Sequence, residues 1–338
     1  MMRAIIDTRR PRIARHRRAR TMEIILHVGA HRTATTSFQH YMRQNATVLR
    51  RQRLAFWGPR KTRAGLLAGL LPRNDASAPD MDTLRCHIAQ ALTRLEKTGI
   101  SRLIVSEENL LGLPAHNLRS ARLYPQAAER MERVARAFDH RIDRVVMTVR
   151  PQHRYWPSAM AYAVQRGHTV PSAAQRDRIT RSARGWRDIA RDVAACQGAE
   201  LRVLPFGTTP RATLEEMTAG AIKPPQFHGD LQLNAAPDRD ELRAALDGRG
   251  ADTSAIPAGT GRWQPFDADQ RAMLAEAWQD DEFWLAAGGG GIATYRLPGR
   301  RTPGMKHQPE RAGYHLPPGL IGRGHDNGIE ERRMVGSR

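Results

Sequence analysis

The chain is 338 residues long and carries 54 Lys and Arg against 34 Asp and Glu, a formal net charge of +20, with two cysteines. That length allows a core that needs no staples, and Cys86 and Cys196 fall in no CxxC or Cys/His ligand spacing, so neither a disulfide framework nor a zinc site is indicated. The excess charge sits mostly at the ends, +7 over residues 1–21 and +5 over residues 296–338, and the +8 left for the body suits anionic ligands or an anionic surface as well as a plain arginine-rich composition.

Residues 1–21 are arginine-rich but lack the apolar run of a secretory signal, and no stretch approaches 18 apolar residues. We read them as a basic, disordered extension ahead of Met22, itself a candidate start, in a protein of the reducing cytoplasm. MEIILHV (22–28) is a continuous apolar strand of the kind buried on both faces of a parallel sheet, and 35–50 continues as a helix. LAFWG (54–58) reads as a short strand, and 59–80 as a loop broken by Pro, Gly and Asp. Leu84, Ile88, Leu92 and Leu95 give 82–98 helical spacing, RLIVS (102–106) is a strand, and a helix runs from Pro125 to about Phe138. RVVMTV (144–149) is the strongest strand, with helices expected at 153–167 and 173–196, a strand ELRVLPF (200–206) and a helix through Leu214 and Met217. Helices at 238–247 and 267–286 follow, and from GGGG (288–291) onward little can pack, so 291–338 is expected to be a basic disordered tail. The βαβ alternation predicts an α/β protein over 22–290, a P-loop-type three-layer fold with a central parallel sheet flanked by helices.

Two stretches carry chemistry. HVGAHRTATTSFQ (27–39) places Gly29 and a run of hydroxyls between a buried strand and a helix, the layout in which backbone N–H groups and the helix dipole hold an anion. An ordinary βα turn capped by Thr has the same local look. A triphosphate loop ends in GK[ST]; here the matching positions hold Ala34, Thr35 and Thr36, and the cation comes earlier, at Arg32. MTVRPQHRYWPSAMAYAVQRG (147–167) leaves the strongest strand with Arg150 and Pro151 and brings Ser158 eight residues after the Arg; Arg offers a bidentate donor to phosphate and Ser a hydroxyl.

Together these stretches resemble sulfotransferases that use 3′-phosphoadenosine 5′-phosphosulfate (PAPS). Their loop runs G-x-x-K-[ST]-G-[TS]-[TS]; Gly29, Thr33, Thr35 and Thr36 match, Arg32 stands for the usual Lys and Ala34 for the usual Gly. The likeness extends more faintly over 22–290. It implies that the backbone from Ala30 through Ala34 to Thr36, with the Thr35 and Thr36 hydroxyls, grips the 5′-phosphosulfate, that Arg32 stabilises the leaving oxygen, and that Arg150 and Ser158 hold the 3′-phosphate. AGTGRW (258–263) is a candidate for a further Gly-Arg contact there. The base that accepts the acceptor's proton is Glu or His in that family. SEEN (106–109) offers Glu107 or Glu108 at a strand's carboxyl end, His31 is the alternative, and His153 a weaker one; each also fits a plain surface or loop role. Trp57 and Trp156 are candidates for stacking on the adenine, and the sequence does not choose between these and other residues.

The expected activity is therefore transfer of a sulfuryl group to a hydroxyl or amine of a carbohydrate, lipid or small molecule, with PAPS as co-substrate and no metal. A non-catalytic sulfotransferase-like protein that binds an anion or glycan is the alternative, and a nucleotide kinase is disfavoured by the missing GK[ST]. No nucleic-acid reading motif is present, so no specific nucleic-acid partner is expected. The basic ends are suited to peripheral contact with an acidic polysaccharide or anionic membrane.

Overall fold

The computed structural model describes residues 22–71, 80–195, 198–226 and 233–296. The expected extension over 1–21, the chain beyond 296 and Cys196 lie outside the described residues. The fold is α/β, with one six-stranded parallel sheet between layers of helices. Its strands are β1 (Glu23–His27), β2 (Leu54–Trp57), β3 (Arg102–Ser106), β4 (Arg144–Val149), β5 (Glu200–Pro205) and β6 (Ala293–Tyr295), in the order β2-β3-β1-β4-β5-β6. The middle strands are uninterrupted apolar runs because helices cover both faces: Ile24, Ile25, Leu26, Val145, Val146 and Met147 are all buried.

The helices are α1 (Thr35–Gln44), α2 (Ala46–Arg51), α3 (Pro59–Lys61), α4 (Met81–Lys97), α5 (Pro114–Ser120), α6 (Ala127–Ala137), α7 (Gln152–Gln165), α8 (Ala173–Thr180), α9 (Trp186–Ala194), α10 (Pro210–Thr218), α11 (Arg239–Asp247) and α12 (Ala268–Ala286). None of the described helices is long and apolar enough to cross a membrane. Several depart from the sequence reading. The helix expected over 35–50 breaks at Asn45, and that over 173–196 breaks before Gly185, where a Cβ would run into the carboxylate of Asp281. The loop expected over 59–80 begins with α3 and two further helical turns, Thr62–Leu66 and Ala68–Leu70.

The tail expected from 291 starts too early. Ala293–Tyr295 pairs parallel with Leu201–Val203 of β5, and Arg296 N–H donates to Val203 O at 2.9 Å, so these residues extend the sheet. Three residues after a glycine run carry no periodic signal; the strand exists because β5 offers an open edge.

After β1 the chain builds β2 and β3 on one side, then crosses to β4 on the other. The boundary between β1 and β4 is thus a topological switch point, where the loops at the strands' carboxyl ends diverge and leave a crevice. Both chemistry-bearing stretches leave the sheet there.

Candidate functional site

The loop after β1 is tied to β4: Val28 N–H donates to Val146 O at 3.0 Å and Ala30 N–H to Thr148 O at 3.1 Å. His31 N–H is also engaged, by the Tyr124 hydroxyl at 2.9 Å. The expectation that the anion-gripping backbone begins at Ala30 is therefore corrected: Gly29 and Ala30 lie under the cleft, and within the loop that follows them the bordering residues begin at His31 and Arg32. Thr33, Ala34, Thr35 and Thr36 border it. Arg32 and Ala34 hold φ angles of 65° and 64°, the left-handed region where a side chain costs about 1–2 kcal/mol. Ala34 is the N-cap of α1, and no side chain caps that helix, so its first turn faces the cleft uncovered. At Gly29 the reason for glycine is space: a Cβ there would come within 2.7 Å of His27 Nε2 and 2.8 Å of Thr35 Oγ1.

The second stretch meets the first across the switch point. Arg32 Nε donates to Ser158 Oγ at 3.1 Å, and Arg150 Nη1 donates to Arg32 O at 2.9 Å. The Arg150 guanidinium lies over the Phe206 ring at 4.4 Å, and that of Arg32 over Tyr162 at 4.9 Å. A buried acid that the sequence reading missed holds this corner. Asp281 of α12 accepts from Gln152 Nε2 at 2.9 Å and from the Trp186 N–H at 2.6 Å, while Trp186 Nε1 donates to Arg150 O at 2.7 Å. No local pattern announces it, since its partners lie 129 and 95 residues away.

The cleft encloses about 950 Å³. Arg32, Arg43, Arg150, Arg154, Arg166 and Arg262 line it without a carboxylate partner among the described residues. Burial, then Arg32, Arg262 and Arg154, push the Arg150 guanidinium down to about 10. Burial also lowers Arg32, with Arg262 and Arg166 adding to it against the opposing pull of Tyr162 and Tyr155. Cations crowded this way favour a ligand carrying several negative charges.

The far end of the cleft is organised around carboxylates. Glu107 is fully buried and does not border the cleft. Its Oε2 accepts from Thr62 Oγ1 at 2.6 Å and Arg63 Nε at 2.9 Å, and its Oε1 from Arg63 Nη2 at 2.9 Å and Asn109 N–H at 3.2 Å. With every oxygen occupied, Glu107 holds the turn rather than facing a substrate. Glu108 does border the cleft, accepting from Arg63 Nη2 at 2.9 Å and Gln39 Nε2 at 3.0 Å. Burial raises its pKa, but His31, Arg63 and Gln39 outweigh that and hold it below the usual range. Arg63, from the segment read as a loop, had no sequence signal; it is found only once the helical turn Thr62–Leu66 brings it to the carboxylates after β3.

His31 is locked. Nε2–H donates to Asn109 Oδ1 at 2.9 Å, so Nδ1 accepts from the Tyr124 hydroxyl at 2.9 Å, and burial first of all lowers the ring's pKa. It spans the Arg32 loop and the Glu108 turn with no ring nitrogen left for a substrate. His153 borders the cleft with Nδ1 unpartnered. Trp57 and Trp156 are 1% and 2% exposed and do not border the cleft, which overturns both as adenine partners; Phe206, 38% exposed, and Tyr162 present rings there instead.

Fold and cleft thus define a parallel α/β protein with a cationic crevice at its switch point. No protein-family model, curated protein or solved structure matches the chain, so the sulfotransferase resemblance rests on the two stretches themselves.

Proposed function

We propose that this protein is a sulfotransferase that takes PAPS as donor, its anionic groups lying along the arginine wall and its acceptor between Arg32 and Glu108. The observation that carries the reading is the group of Arg32, Arg150, Arg154 and Arg262, drawn together with Ser158 and without a carboxylate among them. A nucleotide with phosphates at both 3′ and 5′ positions supplies the missing charge at both ends of that group.

In this reading Arg150 and Ser158 hold the 3′-phosphate, and the α1 N-terminus with Thr35 and Thr36 holds the 5′ group. Arg32 donates to the oxygen that bridges phosphorus and sulfur, taking up its charge as the bond to sulfur breaks. Glu108 accepts the acceptor hydroxyl's proton as the new sulfur–oxygen bond forms, and gives up a contact with Arg63 or Gln39 to do so.

That last requirement supports a second reading, a non-catalytic anion-binding protein. Glu108 meets donors at both oxygens and is held below the usual carboxylate range, which makes it a weak base. Calorimetry with 3′-phosphoadenosine 5′-phosphate tests the site: binding that disappears with AMP and in Arg150→Ala is expected, and affinity unchanged in that variant overturns it. Sulfate transfer from labelled PAPS that is lost in Glu108→Gln decides for the enzyme; nucleotide binding without transfer decides for the second reading.

A further inference from the structure

Beneath the loop the fold leaves one ring nitrogen without a partner. His27, the last residue of β1, is 1% exposed, and its Nε2 meets no hydrogen-bonding group among the described residues. The other nitrogen, Nδ1, is engaged 2.9 Å from Ser106 Oγ. That hydroxyl accepts from Gln39 Nε2 at 3.2 Å, and among the described residues Nδ1 is the acceptor within reach of its own proton; with Ser106 donating to Nδ1 the imidazole proton sits on Nε2. Burial drives the ring's pKa down to about 4, so at neutral pH it is uncharged, with one N–H directed away from Ser106. A buried donor in this state carries a desolvation penalty until an acceptor reaches it.

The surroundings identify where an acceptor fits. His27 borders the cleft beside Thr33 and Thr35. The point that a Cβ on Gly29 would take is 2.7 Å from His27 Nε2 and 2.8 Å from Thr35 Oγ1, so glycine keeps open a space that both atoms face. Phe38 packs edge-on against the imidazole at 5.0 Å. The ten-residue α1 opens onto the same place with no side-chain cap.

We propose that His27 is a ligand-binding residue whose Nε2–H donates to an oxygen of the 5′ anionic group seated at the α1 N-terminus. This rests on the nucleotide reading above and adds a donor to it. Because His27 only donates at this point, it suits an oxyanion that carries no proton. A phosphosulfate is such a group at neutral pH, whereas a phosphate monoester, with a second pKa of about 6, is partly protonated.

The test reads the imidazole directly. In the full-length wild type with ¹⁵N-labelled histidine, the His27 resonances are expected to report the Nε2–H tautomer, and 3′-phosphoadenosine 5′-phosphate should move the Nε2 signal. His27→Phe should weaken that ligand about tenfold or more by calorimetry, and His27→Gln, which can present an amide N–H, should recover part of the loss. An Nδ1–H tautomer, unmoved His27 resonances in a wild type that binds, or equal affinity in His27→Phe each overturns the proposal. If the phenylalanine variant does not fold, the wild-type spectra still decide. If the wild type does not bind the nucleotide, that reading fails, and inorganic sulfate then tests His27 alone: movement of its resonances sustains the donor role and their constancy overturns it.

Discussion

Around Arg150 the cleft gathers Arg32, Arg154 and Arg262 with no carboxylate among them, whereas around Glu107 a single arginine and a threonine meet both oxygens of a fully buried carboxylate. Both regions sit at carboxyl ends of strands, Arg150 after β4 and Glu107 after β3 with β1 between them, yet their electrostatics run opposite ways. The arginine group repels itself, and a polyanion relieves that repulsion. The Glu107 turn is already neutralised and hydrogen-bonded, so it lends the fold stability and has little left to offer a ligand. Binding and folding stability should therefore separate when the two regions are altered in turn.

The largest effect is expected at Arg150. Removing one partner of a desolvated charge contact costs 2–5 kcal/mol, so Arg150→Ala should weaken 3′-phosphoadenosine 5′-phosphate by about 1,000-fold. The unliganded melting temperature should hold or rise, because burial and three arginines already press on this guanidinium. A melting temperature that falls in step with affinity would break the comparison. Next in size, Glu107→Ala takes the carboxylate acceptor from Thr62 and leaves Arg63 only its contact with Glu108, and should lower unfolding free energy by about 3 kcal/mol in urea titrations, with nucleotide affinity nearly unchanged. A variant as stable as the wild type would mean that the buried carboxylate is not what holds the turn. Gly29→Ala sharpens the boundary between the two: its Cβ would sit 2.7 Å from His27 Nε2 and 2.8 Å from Thr35 Oγ1, so the loop must shift. About tenfold weaker binding is expected, with a stability loss of about 1–2 kcal/mol; unchanged affinity would show that the loop moves freely.

The two regions also differ in how far they can be read from sequence. β1, β3 and β4 were legible because strands buried on both faces read as apolar runs, and RLIVS and RVVMTV keep the observed bounds Arg102–Ser106 and Arg144–Val149. The loop and the Arg150 segment were legible because each keeps its pattern within a few residues of a strand end. Their meeting was not: Arg32 and Ser158 lie 126 residues apart and are joined only because β4 is laid beside β1. The Glu107 turn shows the limit more sharply. SEEN revealed two carboxylates at a strand end, but which one faces the cleft depends on Arg63, 44 residues upstream in a segment without helical periodicity, and on His31, 78 residues from Asn109. Asp281 and β6 belong to the same class, since what defines each is a partner distant in the chain.

The smallest effect tests the one carboxylate that belongs to both regions. Burial raises the Glu108 pKa, but His31, Arg63 and Gln39 bring it below its ordinary 4.5. A folded pKa below the unfolded one means that the folded state binds fewer protons, so the stabilisation is complete above about 4.5 and is lost as pH falls through the folded value. His27 acts in the same direction over a higher window, from 6.5 down to about 4, because its ring is neutral in the fold and charged in the unfolded chain. The windows separate the groups. Between pH 7 and 5 the buried rings of His27 and His31 contribute to the slope, and because the Glu108 charge raises both rings, urea unfolding of Glu108→Gln should be slightly steeper there than the wild type; below 4.5 it should flatten, keeping about 1 kcal/mol that the wild type loses. Equal slopes below 4.5 would mean that Glu108 is not held in its ionised form by Arg63 and Gln39, and the argument that it is a weak base would go with it. A flatter acid limb would place Glu108 with the neutralised turn, so that a substrate must draw it away from Arg63 before it can take a proton.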